Sequence, residues 1–268
     1  MPYFPQLNTG AAAQFPLRWT DSFRAVANEM PCGKTMSAPD SGATGVSWEL
    51  SLAGLSESER ASLQAFFEQM RGSLNSFTVV DPADNLLAFS EDLTQPCWAP
   101  GPLLTVAGGV ADPLRGSAAQ QVTNTAQTTQ GFVQQTNAPG GCYYSFSVYV
   151  RSETPQVIVL SQSCNGSVLQ KTFTSGQKWE RIALSGLPAS GSGVSFGIQL
   201  TSGATVQLFG AQAEGQCAAG VYKRTGPTGA VYEDCRFAQD DLQMVATGPG
   251  AYRCSFRITS AGAVTWKA

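Results

Sequence analysis

The chain contains no histidine. That removes the side chain most often used as a general base near neutral pH, and a common metal ligand with it. A Ser-His-Asp or Cys-His centre cannot be assembled within it. Charge is scarce as well. Asp, Glu, Lys and Arg make up 13% of the residues and the net charge is −3, where a typical chain is roughly a quarter charged. Binding to a phosphate backbone needs concentrated Lys and Arg, and there is no basic cluster, so no nucleic-acid partner is expected. No apolar run is long enough to span a bilayer, so no membrane insertion is expected. The opening MPYFPQLNTG has neither a basic n-region nor an apolar h-region. This predicts no signal peptide and folding in a reducing cytosol. The seven cysteines, Cys32, Cys97, Cys142, Cys164, Cys217, Cys235 and Cys254, include no CxxC pair. Zinc knuckles and thioredoxin-like chemistry are therefore disfavoured. Their odd number and scattered spacing argue against a disulfide framework and predict buried reduced thiols. Cys235 and Cys254 are the one pair that neighbouring strands could join, subject to geometry.

What is present is glycine, Ser, Thr and Gln around short apolar runs, with 43% hydrophobic and 10% aromatic residues. That is too apolar for a disordered chain. The length of 268 residues allows one large core or two modest ones. Residues 1–50 read as loops and short strands. VSWELSL (46–52) alternates Val46, Trp48, Leu50 and Leu52 against polar partners, the pattern of a half-buried strand. One helix follows. Ser56 and Glu59 form a capping box, Leu63, Phe66, Phe67 and Met70 share a face, and Gly72 offers a left-handed stop. SFTVVDP (76–82) is a strand again.

From Asn85 the helical period is lost until after residue 222. CYYSFSVYV, QVIVLSQS, SVLQKTFT, WERIALSG, GVSFGIQL and TVQLFGAQ alternate with Gly, Ser and Thr turns. Regular short strands of this kind predict a sandwich or jelly roll. Further strands come at AVYEDCRFA, near Leu242–Ala246 and at AYRCSFRI. Three strands cannot bury a core of their own, and neither can the first 84 residues with few strands and one helix. The economical arrangement is one discontinuous domain from 1–84 and 225–268, with 85–224 inserted between DPADN and KRTGPTG. The predicted fold class is mainly β: a jelly-roll β-sandwich inserted in a small β-rich domain with one helix.

Three stretches of the middle segment carry a resemblance. NLLAFSEDLTQPCW (85–98), YYSFSVYVRS (143–152) and VQLFGAQAEGQCAAGVYKRTG (206–226) resemble a jelly-roll, carbohydrate-binding-like domain of bacteriophage tail proteins, and Trp179-Glu180-Arg181 fits that family's Trp-x-Arg. Ala213 departs from it, since Leu is frequent there. The flanking segments, from Trp48-Glu49-Leu50 through the helix to Asp81-Pro82, and CRFAQDDLQMVATGPGAYRCSFRI, are similar in layout to phage distal and minor tail proteins. The resemblance implies a virion structural protein of the tail tip, made in the bacterial host cytoplasm. It implies other phage tail proteins as partners, a homo-oligomeric ring, and a module that contacts host-surface glycans. A free carbohydrate-binding adhesin and a polysaccharide depolymerase are the alternatives.

Sugar recognition on strands uses flat aromatic faces with neutral or acidic hydrogen-bonding side chains. Trp98 and Trp179 read as core packing. Tyr143, Tyr144 and Tyr149 are candidates for glycan contact. Gln212 and Glu214, where a strand exits, either bind glycan or satisfy backbone groups in the turn. Glu91, Asp92, Glu153, Glu180 and Glu214 show no spacing that forces two carboxylates together, as glycoside hydrolysis requires, so no enzyme is expected. No metal site and no cofactor are expected. Structural calcium at Asp112 or Glu91 is conceivable but not indicated.

Overall fold

The computed structural model describes residues 1–261 and is mainly β with one helix. The chain opens with β1 (Arg18–Glu29), β2 (Thr35–Leu55), helix α1 (Glu57–Met70) and β3 (Phe77–Val80). It continues with β4 (Ala99–Pro100), β5 (Leu104–Val110), β6 (Ala119–Asn124), β7 (Gln130–Gln135) and β8 (Tyr144–Arg151). Next come β9 (Gln156–Cys164), β10 (Ser167–Ser175), β11 (Glu180–Gly186), β12 (Ser195–Leu200) and β13 (Thr205–Glu214). It ends with β14 (Val231–Phe237), β15 (Met244–Gly248) and β16 (Ala251–Ala261). Two compact units result. Among the described residues, one is 1–79 with 232–261 and the other is 80–231.

In the first unit the strand order is β1-β2-β16-β14-β3, with β15 attached to β16. The alternation of VSWELSL sets the register. Trp48 lies opposite Ile258, Leu50 opposite Phe256 and Leu52 opposite Cys254, and all six are buried. Over this face sit the aromatic rings of Phe4, Phe66, Phe67, Phe77, Phe237 and Phe256. Phe237 is central, with centroids 4.8 Å from Phe67, 5.0 Å from Phe77, 5.6 Å from Phe256 and 6.1 Å from Phe66. Helix α1 contributes its Leu63, Phe66 and Met70 stripe. Its start is the expected capping box: the Glu59 N–H donates to Ser56 Oγ (3.3 Å) and the Ser56 N–H to Glu59 Oε2 (2.9 Å). At its end the left-handed turn begins one residue before the expected glycine. Arg71 (φ 52°) and Gly72 (φ 61°) are both left-handed, and the Gly72 N–H reaches the Phe67 carbonyl at 3.3 Å.

Residues 1–50 hold longer strands than their sequence predicts. β1 and β2 form a hairpin whose outer half, from Val26 opposite Ala38 to Glu29 opposite Thr35, pairs with no third strand in the described register. Such a segment has no core to face, so it lacks the apolar alternation by which strands are recognised.

Cys235 and Cys254 do not face each other across strands. Cys235 lies opposite Ser260 on β16, and Cys254 lies opposite Leu52 and Met244. The expectation that the thiols are buried holds for Cys164, Cys235 and Cys254 but not for Cys32 and Cys217, which are exposed in loops. Burial pushes the Cys254 thiol up to about 11.

The second unit is a jelly-roll β-sandwich of two five-stranded sheets, β10-β9-β12-β7-β4 and β11-β8-β13-β6-β5. From β6 onward the chain changes sheet at every connection except β9 to β10. Between the sheets lie Val122, Phe132, Phe146, Val148, Val150, Ile158, Leu160, Phe196, Ile198 and Val206, each no more than 1% exposed. Residues 80–84 and 225–231, expected in the discontinuous domain, fold with this unit. The Asp81 N–H donates to the Ala230 carbonyl and the Ala230 N–H to the Asn85 carbonyl, both at 3.0 Å.

Candidate functional site

The stretch after β13 returns across the outer face of its own sheet. Gly210 makes this possible. It has φ 63°, and a Cβ there would lie 2.9 Å from the Tyr222 ring. The register of β13 against β8 shifts between Phe209 and Gln212. Gln212 and Glu214 then hold the returning chain. Gln212 Oε1 accepts from the Lys223 N–H (2.6 Å), and its Nε2 donates to the Val221 carbonyl (3.2 Å). Glu214 Oε2 accepts from the Gly220 N–H (2.8 Å), and Oε1 from Gln216 Nε2 (2.9 Å). Both are buried, at 0% and 2% exposure. As glycan candidates they are therefore corrected. Their polar atoms are spent on the turn, the second of the two readings above.

Asn85 fastens the same segment to the incoming chain. Its Oδ1 accepts from the Ala213 and Leu87 N–H groups (3.0 and 3.1 Å), and its Nδ2 donates to the Ala211 and Lys223 carbonyls (2.9 and 3.2 Å). Thr225 Oγ1 donates to the Leu87 carbonyl (2.6 Å), and the Thr225 N–H to Ser90 Oγ (2.9 Å). Tyr222 Oη meets Ser90 Oγ at 2.8 Å and donates to Glu91 Oε1 at 3.0 Å, while Arg224 pairs with Glu91 Oε2 at 3.1 Å. The motif residues of both ends of the module thus form one clasp. A cavity beside it, lined in part by Ser90, Glu91, Gln120, Phe209 and Gly210, has a volume of about 10 Å³, room for about one water molecule and not for a sugar ring.

The tyrosines separate. Tyr144 is fully buried, its Oη donating to the Pro139 carbonyl at 2.6 Å and its ring edge-on to Phe196. It belongs to the core because it is in period two with the buried Phe146, Val148 and Val150 on β8, and it is corrected as a glycan candidate. Tyr143 is exposed. Tyr149 is half-buried under the Arg181 guanidinium, 5.4 Å from its ring centroid, with Phe209 and Tyr222 at 6.0 and 6.5 Å. Arg181 itself donates to Ser147 Oγ and the Gly220 carbonyl. Arg181 covers Ser147, and Ser145 Oγ accepts from Ser185 Oγ at 3.0 Å; both serines are fully buried. The returning chain covers this half of the sheet.

The other half is open. Trp98 is core, as its Nε1–H···O=C bond to Phe89 (3.2 Å) and 1% exposure show. Trp179, expected to be core as well, is instead half-buried at the sheet edge with the Arg151 guanidinium 4.9 Å above its ring. Arg151 Nε donates to Gln207 Oε1 at 2.7 Å, and Gln207 lies directly opposite Gln121. Thr205 and Thr123, the next pair outward on β13 and β6, share a hydroxyl contact at 3.1 Å. The row Trp179-Arg151-Gln207-Gln121 therefore runs across the outer face over β8, β13 and β6. Arg151, Gln207 and Gln121 went unrecognised in the sequence. The period of two that puts Tyr149 on this face also puts Arg151 there, and that was the available signal. The outer face of the opposite sheet offers Val133, Val157, Val168, Thr172 and Gln199, while the aromatic residues of its strands, Phe132, Phe173 and Phe196, fall on the other face by register.

Asp112 and Asp92 are engaged in their own turns. Asp112 Oδ1 accepts the Leu114 and Gly116 N–H groups, and Oδ2 the Ala118 N–H. Burial alone would raise Asp92, but hydrogen bonds from Gln95, Thr94 and Gln120 outweigh it and hold the carboxyl down to about 2. Among the described residues no group of three His, Cys, Asp or Glu side chains is placed to hold a metal ion. No helix among them is long and apolar enough to cross a membrane.

No protein-family model matches the chain, and no curated protein matches it. Solved structures do. The CBM22-1 xylan-binding domain of Paenibacillus barcinonensis Xyn10C is 18% identical with a TM-score of 0.41, over 51% of this chain and 97% of that one. TmCBM61, solved in complex with β-1,4-galactotriose, is 14% identical with a TM-score of 0.38, over 48% and 97%. The enzymatically active domain of bacteriophage CBA120 tailspike protein 4 is 12% identical with a TM-score of 0.39, over 51% of this chain and 22% of that one, so this chain spans about a fifth of its length. Identities this low assign no residue role.

Proposed function

We propose that the protein is a structural subunit of a phage tail tip: the unit built from both ends of the sequence assembles with further copies and other tail proteins, and the sandwich displays a glycan-binding face. The observation that carries this reading is the β1–β2 hairpin. Phe15, Trp19, Val26, Met30 and Met36 are each between 42% and 70% exposed on or beside it. The register places Val26, opposite Ala38, and Met36, opposite Asn28, on one face of its outer half. Two strands alone are marginal in water, and uncovered apolar side chains along them favour a partner. An edge strand such as β1 also has backbone groups to offer a neighbouring chain.

The sandwich supports the second half of the reading. Its open outer face combines an aromatic ring, a guanidinium and two amides, which suits a hydroxyl-rich ligand better than an apolar one. Glu91, Asp92 and Glu214 are occupied by the clasp and neighbouring turns, which leaves binding as the better-supported role over hydrolysis.

The chain is expected to sediment as a closed ring several times its 28.2 kDa mass, since most homo-oligomers of soluble proteins have closed point-group symmetry. Val26→Asp combined with Met36→Asp puts charge on the arm without touching either core and is expected to yield monomer. A wild-type protein that stays monomeric at high micromolar concentration, or a double variant that assembles like wild type, defeats the assembly role.

A further inference from the structure

The open half of the outer face holds a guanidinium that no described carboxylate neutralises. Arg60, Arg224 and Arg257 each pair with a glutamate. Arg181 is used up on Ser147 and the Gly220 carbonyl. Arg151 forms no salt bridge among the described residues, and its one hydrogen bond there runs from Nε to Gln207. Among the described residues its two terminal nitrogens have no hydrogen-bond partner. The side chain is nonetheless fixed, by Trp179 under its plane and Gln207 at its Nε. A half-buried, stacked guanidinium with one edge anchored and the other open is preorganised for a two-pronged oxyanion. Neighbouring carboxylates are not aimed at it by register. Glu180 lies opposite Val150, whose side chain faces the core, and so sits on the other side of the pleat from Arg151. Gln121, exposed and two strands away, adds an amide on the same face.

We propose that Arg151, seated on Trp179 and steadied by Gln207, binds the oxyanion of an acidic sugar, with Gln207 and Gln121 taking its hydroxyl groups. This rests on the glycan-binding reading above and narrows it to one ligand class. A carboxylate and a phosphate both fit the fork, so uronic acids and sugar phosphates are separate arms of the test.

The full-length protein is titrated by calorimetry with an α-1,4-linked galacturonic acid trimer, with its carboxyl-reduced galactose counterpart, and with mannose 6-phosphate against mannose. At least one acidic ligand is expected to bind about ten-fold more tightly than its neutral partner, the scale of a charge-assisted bidentate pair. The preference weakens between low and 1 M salt. Arg151→Gln removes the preference, and Arg151→Lys, which keeps the charge but not the fork, restores only part of it. Lys171→Gln, on the opposite sheet, leaves it unchanged. Melting curves of the Arg151 variants within a few degrees of wild type show that the loss is one of recognition. Neutral and acidic sugars bound equally well, or a preference that survives Arg151→Gln, overturns the proposal while leaving glycan binding intact. Absence of binding to every sugar overturns both.

Discussion

Replacing Asn85 with alanine is expected to lower the melting temperature of the sandwich by about 10 °C. Asn85 is 0% exposed and makes four hydrogen bonds, two accepted and two donated, to backbone groups of residues 87, 211, 213 and 223. Truncation deletes all four and leaves two N–H groups and two carbonyls facing a void. Each buried polar group without a partner costs about 1–3 kcal/mol. Some of that is recovered by water entering the gap, so a net loss of about 4 kcal/mol is the reasonable figure. For a unit of about 150 residues each kcal/mol is worth roughly 2–4 °C. Asn85→Asp keeps the shape and the acceptor but cannot donate to Ala211 and Lys223, so it falls between. Gln127→Ala, an exposed loop change in the same unit, stays within about 0.5 kcal/mol. Differential scanning calorimetry reads all three. If Asn85→Ala melts with wild type, the clasp is not what closes the module.

The other large effect lies in the first unit. Phe237→Ala removes a ring that is 3% exposed and in contact with four other phenylalanines. Loss of a buried Phe costs about 3–5 kcal/mol, from lost transfer energy and the cavity left behind. That is a large share of the roughly 5–15 kcal/mol by which a domain is stable. Partners of Phe237 come from α1 and β3 on one side of the sequence and from β16 on the other, so the variant weakens the junction of both ends. The expected result is a fall in denaturation midpoint with an unchanged slope. Phe237→Leu, which keeps most of the volume, is expected to cost less than about 1.5 kcal/mol. Equal behaviour of the two variants would mean that the ring does not fill the core.

Much of this architecture was legible because its signals are local. The capping box at Ser56 and Glu59 and the Leu63-Phe66-Met70 stripe specify α1 from adjacent residues alone. The period-two runs from Tyr144 to Glu214 specify strands, since each has an apolar face and turn residues at both ends. Pairing was less legible. Nothing in AYRCSFRI names VSWELSL as its neighbour; only the shortage of strands at each end argued for joining them. The outer half of the β1–β2 hairpin was missed because it pairs with no third strand among the described residues, and amphipathic periodicity records packing. The site was legible least. Ser145, Ser147, Gln212 and Glu214 have the sequence character of an exposed face, yet a returning loop buries them, and no spacing predicts a cover supplied by residues 215–224. Trp179 was misjudged in the opposite sense, because a Trp at the start of an edge strand has core on one side only.

The central claim is that residues 80–231 form a self-contained binding module carried by a unit that the two ends of the chain build together. The most direct test is that segment produced alone, followed by thermal unfolding and by titration with the same acidic sugar. The account predicts one cooperative transition near that of the sandwich in the full chain, and an affinity for the sugar within a factor of about two of the intact protein's, well under the ten-fold step of 1.4 kcal/mol. An unfolded or aggregated segment, or a folded one that has lost the binding the intact protein shows, would contradict it.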